Sequence, residues 1–216
     1  MLHFATLIAL CIAYRDDIIA MIREFFAMIA ELAGGKRQKG NPPEARRLIL
    51  LIVVGTLPLF FVLMIKDRIE ALSNYPPAVS VGLLITGCIL FVADRNACGK
   101  KTAKNATIAD VLVVGAAQGL ATIPGLSRSG STISAGMLRG FDRRFAVRYS
   151  FLMSLPAVLG ATLLEVVHVA KGGQSLPDGM VGKYLIGMAF ACFVGYYSIK
   201  LINLLAAKGK FSVISY

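Results

Sequence analysis

Pro124-Gly125-Leu126-Ser127-Arg128-Ser129-Gly130-Ser131-Thr132 interrupts an apolar run that extends from Val111 to Leu138. A proline followed by glycine ends one helix and lets the backbone turn sharply. The hydroxyl-rich residues after it suit the start of a second half-helix, near Ser127 to Ser131. The first N–H groups of a helix have no partner within it and carry its positive dipole end, so a helix start is an anion site. Ser127, Ser129, Ser131 and Thr132 add hydroxyls, and Arg128 adds a planar fork suited to phosphate oxygens. A cation in the hydrocarbon layer costs at least roughly 2.5–3.5 kcal/mol unless something compensates it. A bound polyanion would do so, and no acidic side chain lies within the segment.

The surroundings make this a membrane question. The chain has 216 residues, 56% hydrophobic and 16% charged, with a mean hydropathy of +0.70. Soluble domains are nearer half apolar and a quarter charged. The net charge of +11 falls in short loops between apolar runs rather than along one face, which argues against a nucleic-acid partner and for loops facing anionic lipid. Cys11, Cys88, Cys98 and Cys192 are scattered with no metal or disulfide spacing, and read as packing residues.

Working outward, the pattern predicts one all-α integral membrane domain over residues 1–216. Residues 1–14 read as a truncated helix, too short for the roughly 20 residues a span needs. Residues 15–33 read as an amphipathic, interfacial helix, with Ile18, Ile19, Ile22, Phe25, Phe26 and Ile29 at helical spacing. Transmembrane helices are expected at 48–65, 78–93, 149–170 and 184–207. Between them Thr107-x-x-Asp110 has the form of a capping box that opens the broken segment. Lys and Arg are concentrated at 36–47, 94–106, 139–148 and 208–210, which should be the cytoplasmic side. Two successive basic loops flank residues 107–138, so that segment must enter and leave on one side, as a re-entrant broken-helix hairpin. Irregular backbone at membrane depth persists only where it is buried in protein or lines a wet cavity.

Gln118-Gly119-Leu120-Ala121-Thr122-Ile123-Pro124-Gly125-Leu126-Ser127-Arg128-Ser129-Gly130-Ser131-Thr132 resembles the second signature of the bacitracin-resistance family of undecaprenyl-diphosphate phosphatases, and Tyr149-Ser150-Phe151-Leu152-Met153-Ser154-Leu155-Pro156 is similar to that family's next helix. The resemblance implies an inverted-repeat fold, here with its first repeat incomplete, in the bacterial inner membrane. The implied activity is hydrolysis of undecaprenyl diphosphate to undecaprenyl phosphate and phosphate, which recycles the carrier lipid for peptidoglycan synthesis and confers bacitracin resistance. The site would open to the periplasm. Arg128 and Ser127 would act in catalysis, with Gly125, Ser127, Arg128, Ser129, Thr132 and Gln118 binding substrate. A divalent cation, Mg2+ or Ca2+, is implied as cofactor.

One departure is large. The family's first signature, an acidic G-x-T-E-F-x-P-x-S-S-x-G-H-like run supplying metal glutamates, a serine and a histidine, has no match here, and His3 and His168 lie in other contexts. The chain also stops about one helix early. The expectation is a fragment that binds the diphosphate weakly without hydrolysing it. A polyprenyl-phosphate flippase or anion transporter is the rival reading, because broken half-helices also bind anions in transporters. A different lipid-phosphatase class places a histidine six residues after its arginine; position 134 is Ser134. Elsewhere, Glu165 and His168 share a helix face and are read as hydrated residues near an interface. Asp110 is read as helix-start chemistry, Gly115, Gly119, Gly136 and Gly140 as close-packing positions, and Lys200 as snorkelling. The oligomeric state is open, and a homodimer is compatible with the pattern.

Overall fold

In the computed structural model the described residues are 2–34, 43–64, 69, 76–96, 99–171 and 181–208. They form eight helices: α1 (Leu2–Ala13), α2 (Arg15–Leu32), α3 (Glu44–Leu63), α4 (Pro76–Asn96), α5 (Ile108–Leu120), α6 (Arg128–Leu138), α7 (Arg143–Ala170) and α8 (Val181–Lys208). Four of them, α3, α4, α7 and α8, are long and apolar enough to cross a bilayer. The protein is an all-helical polytopic membrane protein. Apolar side chains such as Phe60, Phe61, Leu83, Leu84, Leu163, Leu164, Phe190 and Phe193 are exposed on these helices. They form the lipid-facing surface expected where hydrocarbon is the solvent.

The broken run becomes α5 and α6, of 13 and 11 residues, about 20 and 16 Å long at 1.5 Å per residue. Neither reaches across a hydrocarbon core of roughly 30 Å. Their outer ends are tied together. Lys101 N–H donates to Gly140 O at 3.0 Å and Asp142 N–H donates to Lys101 O at 2.9 Å, so the chain before α5 and the chain after α6 lie side by side. Asp110, fully buried in the first turn of α5, accepts from Lys101 Nζ at 2.8 Å and from Arg139 Nε, past the end of α6, at 2.9 Å. The two half-helices therefore enter and leave at one end of the bundle, as a hairpin must.

That end is a plate of charge. Arg143 meets Asp94, Arg148 bridges Asp17 and Glu44, and Arg46 bridges Glu24 and Glu31. Arg47 Nη2 donates to Ala106 O at 3.1 Å. Residues from the first, second and third basic stretches are thus neighbours, as one-sided basic loops require. On α2, Glu24 is buried toward this plate while Ile19, Ile22, Phe25, Phe26 and Ile29 remain exposed, so the helix is amphipathic in place.

Helix boundaries differ from the sequence reading by a few residues, most of all at the start of α7. α7 begins at Arg143, six residues before the expected 149, because Asp142 Oδ1 accepts from Arg144 and Phe145 N–H at 3.0 and 3.3 Å and caps the helix start. The basic stretch 139–148 is mostly the first turns of a helix rather than a loop. Gly140 has φ of +86°, so it turns the chain after α6 instead of packing two helices. Cys11 and Cys88 lie exposed rather than packed inside; Cys98 lies outside the described residues.

The hairpin is held by close backbone approaches. A Cβ at Gly115 would stand 2.0 Å from Gly55 O on α3, so α5 and α3 touch main chain to main chain. Gly55 also leaves room on its other side for the buried Tyr149, whose Oη donates to Leu51 O at 2.7 Å. Val111, Val114, Ile133, Met137, Phe141, Leu152 and Met153 fill the core around this junction.

Candidate functional site

The turn between α5 and α6 is the tip of the hairpin. Gly125 stands there at φ +90°, a region that L side chains avoid. A Cβ on it would also fall 2.2 Å from Val79 O on α4. Glycine is required twice, for the turn and for the approach of α4.

α6 then starts as a capped helix. Ser127 Oγ accepts from Gly130 N–H at 3.2 Å, and Ser127 N–H donates to Thr86 Oγ1 on α4 at 3.0 Å. With those two amides engaged, Arg128 and Ser129 carry the N–H groups of the first turn that have no partner among the described residues. The anion donors of this helix start are consequently two consecutive amides, not four.

The Arg128 guanidinium forms no ion pair among the described residues, and its Nη2 is buried without a hydrogen-bond partner. On the other side of the break Gln118 is buried on α5, and neither its Oε1 nor its Nε2 has a partner. Buried polar atoms are nearly always bonded to protein or water. Orphans on both flanks of one turn mark it as a place prepared for a polar group. No carboxylate clamps Arg128 among the described residues.

Thr132 is arranged differently from its neighbours. Buried on α6, its hydroxyl donates back toward Arg128 O at 2.9 Å and Ser129 O at 3.2 Å, and also meets the Ser150 hydroxyl of α7. Thr132 has one proton to give, so it donates to an incoming oxygen only by giving up a bond it already has. Ser129 lines a cleft of about 270 Å³ between α1, α7 and α8, with Leu7, Leu10, Phe151 and Ile199 on its walls. The first turn of α6 is thereby reached from an apolar cleft.

Other residues singled out from sequence resolve plainly. Thr107 and Asp110 form both halves of a capping box, which accounts for Asp110 as helix-start chemistry. Glu165 and His168 belong to α7, but their side chains lie outside the described residues. Two residues escaped the sequence reading, Thr86 and Ser150. Neither had a local signal, since each acts across helices. The divalent cation implied by resemblance finds no protein cradle: no three His, Cys, Asp or Glu side chains gather among the described residues. The described residues do not fit such an ion.

The chain is a polytopic helical membrane protein whose one-sided hairpin carries a helix start and an arginine with no ion pair among the described residues, the elements of an anion site. Within that class the chain belongs to the family described as bacitracin resistance protein BacA, whose model matches residues 1–216. Among similar curated proteins is an undecaprenyl-diphosphatase of Methanosphaera stadtmanae, 38% identical over 206 residues, 93% of this chain and 72% of that one. Those of Alkaliphilus metalliredigens and Halothermothrix orenii are each 37% identical and cover 100% of this chain, with 78% and 76% of their own lengths matched.

Proposed function

We propose that this chain removes the terminal phosphate of undecaprenyl diphosphate, releasing undecaprenyl phosphate and inorganic phosphate. The family membership and the curated undecaprenyl-diphosphatases support the reaction. The single structural observation that carries the site is Arg128, half-buried at a helix start with its Nη2 buried and unpartnered. In hydrolysis water adds to the terminal phosphorus and the bond to the bridging oxygen breaks. Negative charge then develops on the phosphoryl and leaving-group oxygens. Preorganised donors placed where charge develops supply much of such catalysis.

Arg128 would hold oxygens of both phosphates through its fork, and the Arg128 and Ser129 N–H groups would hold the terminal one. The Ser127 hydroxyl accepts from Gly130 and keeps its own proton to donate to the substrate. Gly125 would let the headgroup come against bare backbone, and Gln118 would close the other flank. Thr132 would act mainly by orienting the first turn. The lysine- and arginine-rich end fits the cytoplasmic face of a bacterial inner membrane, with the tip turned toward the periplasm.

Phosphate release and substrate binding are to be measured in proteoliposomes containing undecaprenyl diphosphate. Arg128→Ala should cut both at least a hundredfold. Arg128→Lys should recover little, because a point charge does not replace a bidentate fork. Undiminished binding and turnover by Arg128→Ala would remove the site from this segment.

A further inference from the structure

Thr86 sits in the middle of an apolar membrane helix and is buried. Its hydroxyl donates to Gly82 O at 3.0 Å, one turn earlier on α4, and its oxygen accepts from Ser127 N–H at 3.0 Å. The two residues are 41 apart in sequence. The same face of α4 makes the other contacts with the hairpin tip. A Cβ at Gly82 would lie 2.8 Å from the Gly125 carbonyl carbon, and one at Gly130 would lie 2.8 Å from Thr86 Cγ2. α4 is thus fitted against both the turn and the first turn of α6, and Thr86 supplies its polar bond to that start.

We infer that Thr86 is a positioning residue for the diphosphate site, acting through the Ser127 N–H it accepts. The inference rests on the reading of the site given above and extends it to α4. Two consequences follow from one hydrogen bond. Ser127 N–H is engaged at its back, so the anion is met by the Arg128 and Ser129 amides rather than by the cap. The cap itself is fixed in register against α4, which sets where the guanidinium begins. Without the Thr86 oxygen, Ser127 N–H becomes an unpaired buried donor, and it competes with the next two amides for the same phosphate.

The test is equilibrium binding of farnesyl diphosphate to the whole chain in nanodiscs, for the unaltered protein, Thr86→Val, Thr86→Ser and Arg128→Ala. Valine keeps the bulk of Thr86 and removes its oxygen; serine keeps the oxygen and removes the methyl. Thr86→Val should bind roughly tenfold more weakly, with an unchanged thermal midpoint, and Thr86→Ser should return to within about twofold. Binding by Thr86→Val equal to the unaltered protein overturns the inference. So does a serine variant as weak as the valine one, because the retained oxygen would then not be what positions the site. Should Thr86→Val not fold, Thr86→Ala is compared with Thr86→Ser by the same criteria. Arg128→Ala reports separately on the site: if it binds normally while Thr86→Val does not, the phosphate reading is wrong and Thr86 acts elsewhere. No binding by the unaltered chain overturns both.

Discussion

Arg128 could be singled out as a candidate from the sequence because its chemistry is conspicuous there: a guanidinium within an apolar run calls for compensation. Gly125 was visible for the same reason, since Pro-Gly announces a turn. The expected outcome at that position is sharp. Gly125→Ala places a side chain at φ +90°, costing about 1–2 kcal/mol by conformation alone. It also drives a Cβ into the Val79 carbonyl, 2.2 Å away. Farnesyl diphosphate binding should fall at least tenfold while the far-ultraviolet circular dichroism stays helical; unchanged binding would show that α4 and the tip yield easily. Thr86 and Ser150 were not legible. A threonine or serine in an apolar helix usually bonds back to its own carbonyls, and nothing in the local pattern separates those that also reach another helix.

The helix starts that carry their own caps were readable. Thr107 with Asp110 forms the capping box the pattern suggested, and α6 starts within the expected stretch, with Ser127 as its cap. The start of α7 was missed because the arginines after Asp142 look like a loop, whereas their side chains reach sideways to Asp94 and Asp17. Packing between elements depends on backbone approach, which sequence shows only as scattered glycines. Gly115 and Gly160 separate the two meanings of a helical glycine. A Cβ at Gly115 meets Gly55 O at 2.0 Å, and one at Gly160 meets nothing within 4 Å. Gly115→Ala should therefore lower the thermal midpoint in detergent by several degrees and loosen α5 from α3. Gly160→Ala should leave the midpoint unchanged or raise it, since alanine favours helix by about 1 kcal/mol. Equal responses would mean that α3 and α5 adjust freely.

Across the whole molecule, the alternation of apolar runs and basic loops was enough to anticipate four spans and a hairpin entering from one side. It could not say how the charged end is assembled, because Asp17, Glu44, Asp94 and Asp110 look like ordinary loop or helix-start acids until their partners arrive from elsewhere in the chain. The topology has a direct check. In a background lacking native cysteines, cysteines at Lys104 and Arg144, both exposed, should react with a membrane-impermeant thiol reagent from the same side of sealed vesicles. A cysteine at Lys171, beyond the 28 residues of α7, should react from the other. Labelling of positions 104 and 144 from opposite sides would turn the hairpin into a crossing.

Because Lys101 and Asp142 are stitched together at the charged end, the length of α5 acts as a depth gauge. Thirteen residues carry the turn about 20 Å inward, some two-thirds of the way through a hydrocarbon layer of roughly 30 Å. On the proposed reading, a headgroup from the leaflet opposite the charged end would have the shorter path to Arg128, about 10 Å against about 20 Å.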